Sequence, residues 1–171
     1  MRAFILSLSL VLLAGCNMTN STETPTDTSS DATATIEEAL TTAINDEYHA
    51  EAIYAGVLAD FGDVRPFSNI INAEQKHSAR LAALFESYEL VVPENTFLDS
   101  PEIPHFDSVT AACAAAETAE IKNVALYDEL LENISDPVIV AVFQQLQRAS
   151  QENHLPAFQR CGSGGGGMGR S

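Results

Sequence analysis

The sequence predicts an all-α fold, a four-helix bundle made of two helical hairpins joined by a long crossover. Three observations carry that expectation. Between 67 and 85, Phe67, Ile70, Ile71, Ala73, Leu81, Leu84 and Phe85 recur at the spacing of one helix face. Two short turn signals, Gly62-Asp63-Val64-Arg65-Pro66 and Ser135-Asp136-Pro137, flank one long connection at 90–107 that holds Pro93, Pro101 and Pro104. The two halves of the chain also repeat one pattern. Glu47 stands seven residues before Tyr54 and is followed by His77 on the next helix; Glu120 stands seven before Tyr127 and is followed by His154.

The segment before the bundle reads as an address. Arg2 precedes an apolar run from Ala3 to Leu13, too short for a permanent membrane span. It ends in Leu13-Ala14-Gly15-Cys16, so residues 1–15 are expected to be a signal peptide. The four residues resemble the lipobox of bacterial lipoproteins. That resemblance implies cleavage before Cys16, lipidation of its thiol and attachment to a lipid bilayer. Asn17 resembles an outer-membrane sorting signal, which implies an envelope protein facing the periplasm. Residues 16–34, dominated by Ser, Thr, Asp and Asn, are expected to be the lipidated cysteine and a disordered tether. The tail at 162–171 is expected to be flexible because glycine dominates it.

Each helix then has its own signals. Thr35 with Glu38 reads as a capping box opening the first helix, which runs to about Phe61. Pro66 stands near the start of the second, which runs to about Glu89. Asp107 or Ser108 caps the third, extending to about Asn133, and Asp136-Pro137 opens the fourth, extending to about Arg160. If the second and third helices lie parallel, the connection must travel the bundle length, roughly 35 Å. Eighteen residues at 90–107 can reach nearly ~60 Å, so the crossover is feasible.

The chain of 171 residues has a net charge of −16 at pH 7. Such a surface disfavours nucleic acid and anionic lipid headgroups and attracts cations. On the second helix, Glu74 and His77 are one turn apart on the face that also carries Ile70, Leu81 and Leu84. A carboxylate and an imidazole aimed into a core are each costly alone. Glu-x-x-His on the inner face of a bundle is half of a carboxylate-bridged dimetal site, which also needs a glutamate from each of two other helices. Glu47 and Glu120 are placed to supply them, and His154 the second imidazole. Position 151, where a second Glu-x-x-His would need its carboxylate, holds Gln151; Glu117 is the candidate replacement. Pro156, two residues past His154, is expected to kink the fourth helix. The candidate metal ligands are therefore Glu47, Glu74, His77, Glu117, Glu120 and His154, around two iron ions or manganese. A buried, metal-free Glu74–His77 pair is the competing reading. Tyr54 and Tyr127 would sit about two turns from the metals, as hydrogen-bond donors, one-electron relays or simply core residues with a satisfied hydroxyl.

The blocks Phe67-Ser68-Asn69-Ile70, Ala73-Glu74-Gln75-Lys76-His77 and Ser150-Gln151-Glu152-Asn153-His154-Leu155-Pro156-Ala157-Phe158 resemble the bacterial domain of unknown function 2202, within the ferritin-like superfamily. The resemblance covers about 36–161 and implies a ferritin-like domain at 35–161. It places Glu47, Glu74, His77 and Glu120 on superfamily metal-ligand positions. Cys113 lies seven residues before Glu120 and Cys161 seven after His154, so antiparallel helices would bring them to one level as a disulfide or as two buried thiols. The functional expectation is an exported redox protein acting on Fe(II), oxygen or peroxide. A non-catalytic metal-binding or structural envelope lipoprotein is the alternative. Cage-type storage is not expected, because a lipid anchor on each subunit would obstruct a shell; a homodimer is compatible with the sequence.

Overall fold

A computed structural model describes residues 28–98 and 100–163 of the chain. Four helical stretches account for most of it: α1 (Thr28–Phe61), α2 (Phe67–Ser87), α3 (Val109–Asn133) and a fourth rod. That rod is composite, with α4 (Pro137–Ala149), a π-helical turn (Ser150–His154) and α5 (Leu155–Gly162) in succession. No strand occurs among the described residues. The signal peptide, Cys16, most of the tether and the glycine-rich tail from 164 lie outside them.

Local chemistry explains most of the boundaries. The Ser108 hydroxyl accepts from the Ala111 amide at 3.1 Å and opens α3. The Asp136 carboxylate accepts from Val138 and Ile139 at 2.8 and 3.3 Å, with Pro137 at the first helical position of α4. α2 ends in a reversal: Leu90 donates to Phe85 O at 2.9 Å and Glu89 to Glu86 O at 3.2 Å, with Glu89 at φ 57°. This is the double hydrogen bond of a Schellman motif, with glutamate where glycine is usual. Glu89→Gly is expected to stabilise the protein by about 1 kcal/mol by relieving the left-handed conformation; chemical denaturation measures it.

Two boundaries differ from expectation. α1 starts at Thr28, so Thr35 is inside the helix and is not its cap. Once Ala39 and Leu40 anchor the helix in the core, adding preceding turns fixes one residue per hydrogen bond gained. The fourth rod is disturbed before Pro156, by the π turn. The Leu155 amide donates to Ser150 O, five residues back, and this widened turn precedes a proline that has no amide hydrogen to give.

Cross-helix contacts fix the topology. Tyr127 meets Glu47 and Tyr54 meets Glu120, so α1 and α3 run antiparallel. His77 meets Glu47 and Gln75 meets Glu51, so α1 and α2 are antiparallel as well. α2 and α3 are therefore parallel, and the connection between Ser87 and Val109 is a true crossover. The core divides in two. One cluster is built on Leu40, Ile44, Leu81, Phe85, Ile139 and Phe143, the other on Val57, Phe67, Ala112, Ala116 and Phe158. Tyr127 belongs to the first and Tyr54 to the second. Between these apolar ends lies a layer of buried acids and imidazoles.

Candidate metal centre

Each of the four helical rods contributes to that layer. α1 supplies Glu47, α2 supplies Glu74 and His77, α3 supplies Glu120, and the π turn supplies His154. Glu47, Glu74, Glu120 and His154 are 1, 2, 3 and 3 % exposed, so none of the carboxylates has bulk water to solvate its charge. The side chains form two groups whose ligand atoms lie within 4.8 Å of one another: Glu47, Glu74 and His77, and Glu74, Glu120 and His154. Glu74 belongs to both. Its Oε2 is 3.0 Å from His77 Nδ1, and its Oε1 is 3.0 Å from His154 Nδ1.

The contacts within the second group fit a cation better than they fit one another. Glu74 Oε1 and His154 Nδ1 are both buried and neither has a hydrogen-bond partner, although they approach to 3.0 Å. His154 Nδ1 also stands 3.5 Å from Glu120 Oε1. Buried polar atoms are seldom left unpaired, and carboxylate and imidazole atoms that converge without hydrogen-bond geometry are arranged as ligands of a common ion would be. Carboxylate oxygens with imidazole nitrogens suit iron or manganese, so these residues fit the metals expected of them. The tyrosines brace the ligands from the opposite helix. Tyr127 Oη donates to Glu47 Oε1 at 2.6 Å and Tyr54 Oη to Glu120 Oε1 at 2.8 Å. The hydroxyls thus bond the carboxylates directly. Burial, then the neighbouring carboxylates, keeps both phenols protonated well above their usual range.

Without metal, protons neutralise the layer. Burial lifts the Glu47 carboxyl to about 7. Burial alone would lower both histidines, but Glu47 and Glu74 outweigh it and raise His77 to about 9. Glu120 and Glu74 likewise raise His154 to about 10. For Glu74, burial pushes upward, yet contacts with His154 and His77 hold its carboxyl below the ordinary value. The sign for stability follows from the raised groups. The folded metal-free chain holds protons on His77 and His154 that the unfolded chain releases near 6.5, so their stabilisation is complete below that pH. It is lost as pH rises through about 9 to 10. In chelator, the melting temperature is expected to be lower at pH 10 than at pH 6.5. Metal-loaded protein is expected to lack that decline, because metal replaces the imidazole protons.

One candidate, Glu117, is not brought to the layer, and Gln151 stays away from the position where a second Glu-x-x-His would need its carboxylate. Gln151 is exposed, turned to the surface one residue into the π turn. Glu117 is half-buried and joins neither group. The buried stripe of α3 runs through Ala112, Cys113, Ala116, Glu120, Asn123 and Tyr127. A residue three before Glu120 is rotated about 60° off that line, which places Glu117 on the flank. The layer therefore holds three carboxylates and two imidazoles. Glu51 accepts from the Gln75 amide at 3.1 Å at the surface. Cys113 and Cys161 are joined as a disulfide, with Cα atoms 5.9 Å apart. Sequence reasoning passed over Asn123, 7 % exposed, whose Nδ2 donates to Asp46 Oδ2 at 2.7 Å. Its position between Glu120 and Tyr127, at helical spacing on the same stripe, was the available signal.

Comparison with known proteins bears on the fold. No family model matches the chain, and no curated protein matches it. Two solved structures are similar. A hypothetical protein of Methanococcus jannaschii DSM 2661 is 21% identical with a TM-score of 0.66, covering 75% of this chain and 79% of that one. The bacterioferritin of Desulfovibrio desulfuricans, whose diiron site was seen in different catalytic states, is 18% identical with a TM-score of 0.70. The match covers 78% of this chain and 81% of the bacterioferritin. At such identities the likeness establishes the fold, a ferritin-like four-helix bundle.

Proposed function

We propose that this is an exported ferritin-like lipoprotein whose bundle holds two iron or manganese ions for redox chemistry, either Fe(II) oxidation by oxygen or peroxide or the removal of peroxide. The observation that carries the reading is Glu74, a buried carboxylate with one oxygen turned to each histidine at 3.0 Å. One anion between two cations offsets their repulsion. Glu47 with His77 would complete one ion's shell, and Glu120 with His154 the other's. Fe(II) held by these residues would supply the electrons that reduce oxygen or peroxide. Tyr54 and Tyr127 hold the outer carboxylates in place, and each phenol has a carboxylate positioned to take its proton if the ring gives up an electron.

The disulfide supports export to an oxidising compartment. The lipid anchor at Cys16, the envelope location and membership of the domain of unknown function 2202 rest on the sequence motifs. A second reading, metal binding without turnover, is favoured by the exposed Gln151, which leaves the layer one carboxylate short of two complete Glu-x-x-His halves. Elemental analysis after anaerobic Fe(II) loading, followed by oxygen or peroxide addition, separates the readings. About two ions per chain with oxidant consumption is expected. Two ions without consumption would establish the second reading, and no metal would overturn both.

A further inference from the structure

Between α1 and α3, beneath the crossover, a cavity of about 400 Å³ descends from the surface to Tyr54, Glu74 and Glu120. The hollow exists because its walls are small: Ala50 on α1 faces Ala115, Ala116 and Ala119 on α3, and Phe106 of the crossover closes one side. Its size lies within the range of small-molecule sites. Two lining residues carry a buried acceptor without a partner: Glu74 Oε1, which faces His154 in the candidate metal centre, and the neutral Asn123 Oδ1. Asn123 lines the cavity; its Nδ2 is committed to Asp46, while its buried Oδ1 has no partner. A buried acceptor without a donor favours any occupant that brings one. Asp46, Glu74 and Glu120 along the same cavity outnumber its one lysine, Lys122, and oppose an anion.

We propose that this cavity is a binding site for a small neutral, mostly apolar organic molecule bearing one hydroxyl, with Asn123 Oδ1 accepting from that hydroxyl. Asn123 stands one helical turn from Glu120, so the occupant lies against the carboxylates of the candidate metal centre. Asn123 acts as a specificity determinant, selecting hydroxylated molecules over hydrocarbons of the same shape. Its use as a substrate site rests on the dinuclear reading above. Binding itself does not require metal.

The test uses the full chain, metal-free, with two probes of nearly equal shape, 4-methylphenol and toluene, followed by amide chemical shifts. Saturable binding of 4-methylphenol is expected, with shifts centred on Ala50, Ala119 and Asn123. Toluene is expected to bind about tenfold more weakly, the penalty of leaving one buried acceptor unpaired. Asn123→Leu should erase the preference, and Ala119→Phe should abolish binding of both probes. Equal affinities in the unsubstituted chain, no binding of either probe, or shifts confined to the α2–α4 side near Asn72 and Lys76 would overturn the proposal. The comparison in the unsubstituted chain needs no variant to fold. Probe binding without iron uptake would sink the metal reading and keep the pocket, whereas iron uptake without probe binding would sink the pocket alone.

Discussion

Glu74→Ala is expected to remove both metal ions at once, taking the content from about two per chain to near zero. The physical reason is that Glu74 belongs to both candidate ligand groups, so on the proposed dinuclear reading its loss would remove a ligand from each ion and the anion between them. Glu47→Ala and Glu120→Ala make the comparison, since each residue belongs to one group. Each is expected to lose about one ion and retain the other more weakly. Elemental analysis after anaerobic loading reads all three. Equal losses in the three variants would refute the bridging role of Glu74. The bundle should survive, because both apolar clusters stay intact and the two imidazoles can release protons once Glu74 no longer holds them; circular dichroism of the metal-free variants checks that.

Removing the disulfide has the second large effect. Cys113 and Cys161 are 48 positions apart in sequence, and closing a loop of that length in the unfolded chain is worth about 4 kcal/mol. Cys113→Ser with Cys161→Ser is therefore expected to lower the melting temperature by roughly 10 °C for a domain of this size. The bond ties α3 to α5, the last helix of the fourth rod, and α5 directly follows the π turn that carries His154. On the dinuclear reading, the double variant should also bind metal at Glu120 and His154 more weakly than at Glu47 and His77. A loss under about 1 kcal/mol would mean that apolar packing around Phe158 already fixes that end of the bundle.

These expectations draw on different layers of information. The helices, their order and the crossover were legible in the sequence because they rest on local chemistry: caps at Ser108 and Asp136, proline at the head of α4, and apolar residues at helical spacing along α2. Glu74-x-x-His77 and its echo in Glu120 and His154 were legible too, because spacing alone sets the helical face of a residue.

Tertiary structure decided which of those groups meet. Glu117 and Glu120 are one turn apart on the same side of α3, and only the packing of that helix shows that the buried stripe passes through Glu120 and leaves Glu117 on the flank. The π turn was hidden for a similar reason: its five-residue hydrogen bond departs from the regular helical register on which the sequence reading relied. The roles of Asn123 and Asp46, and the hollow between facing alanines, depend on two helices far apart in the chain coming together. A sequence pattern specifies faces. Distances between faces, and therefore the chemistry of the groups upon them, exist only once the bundle has closed.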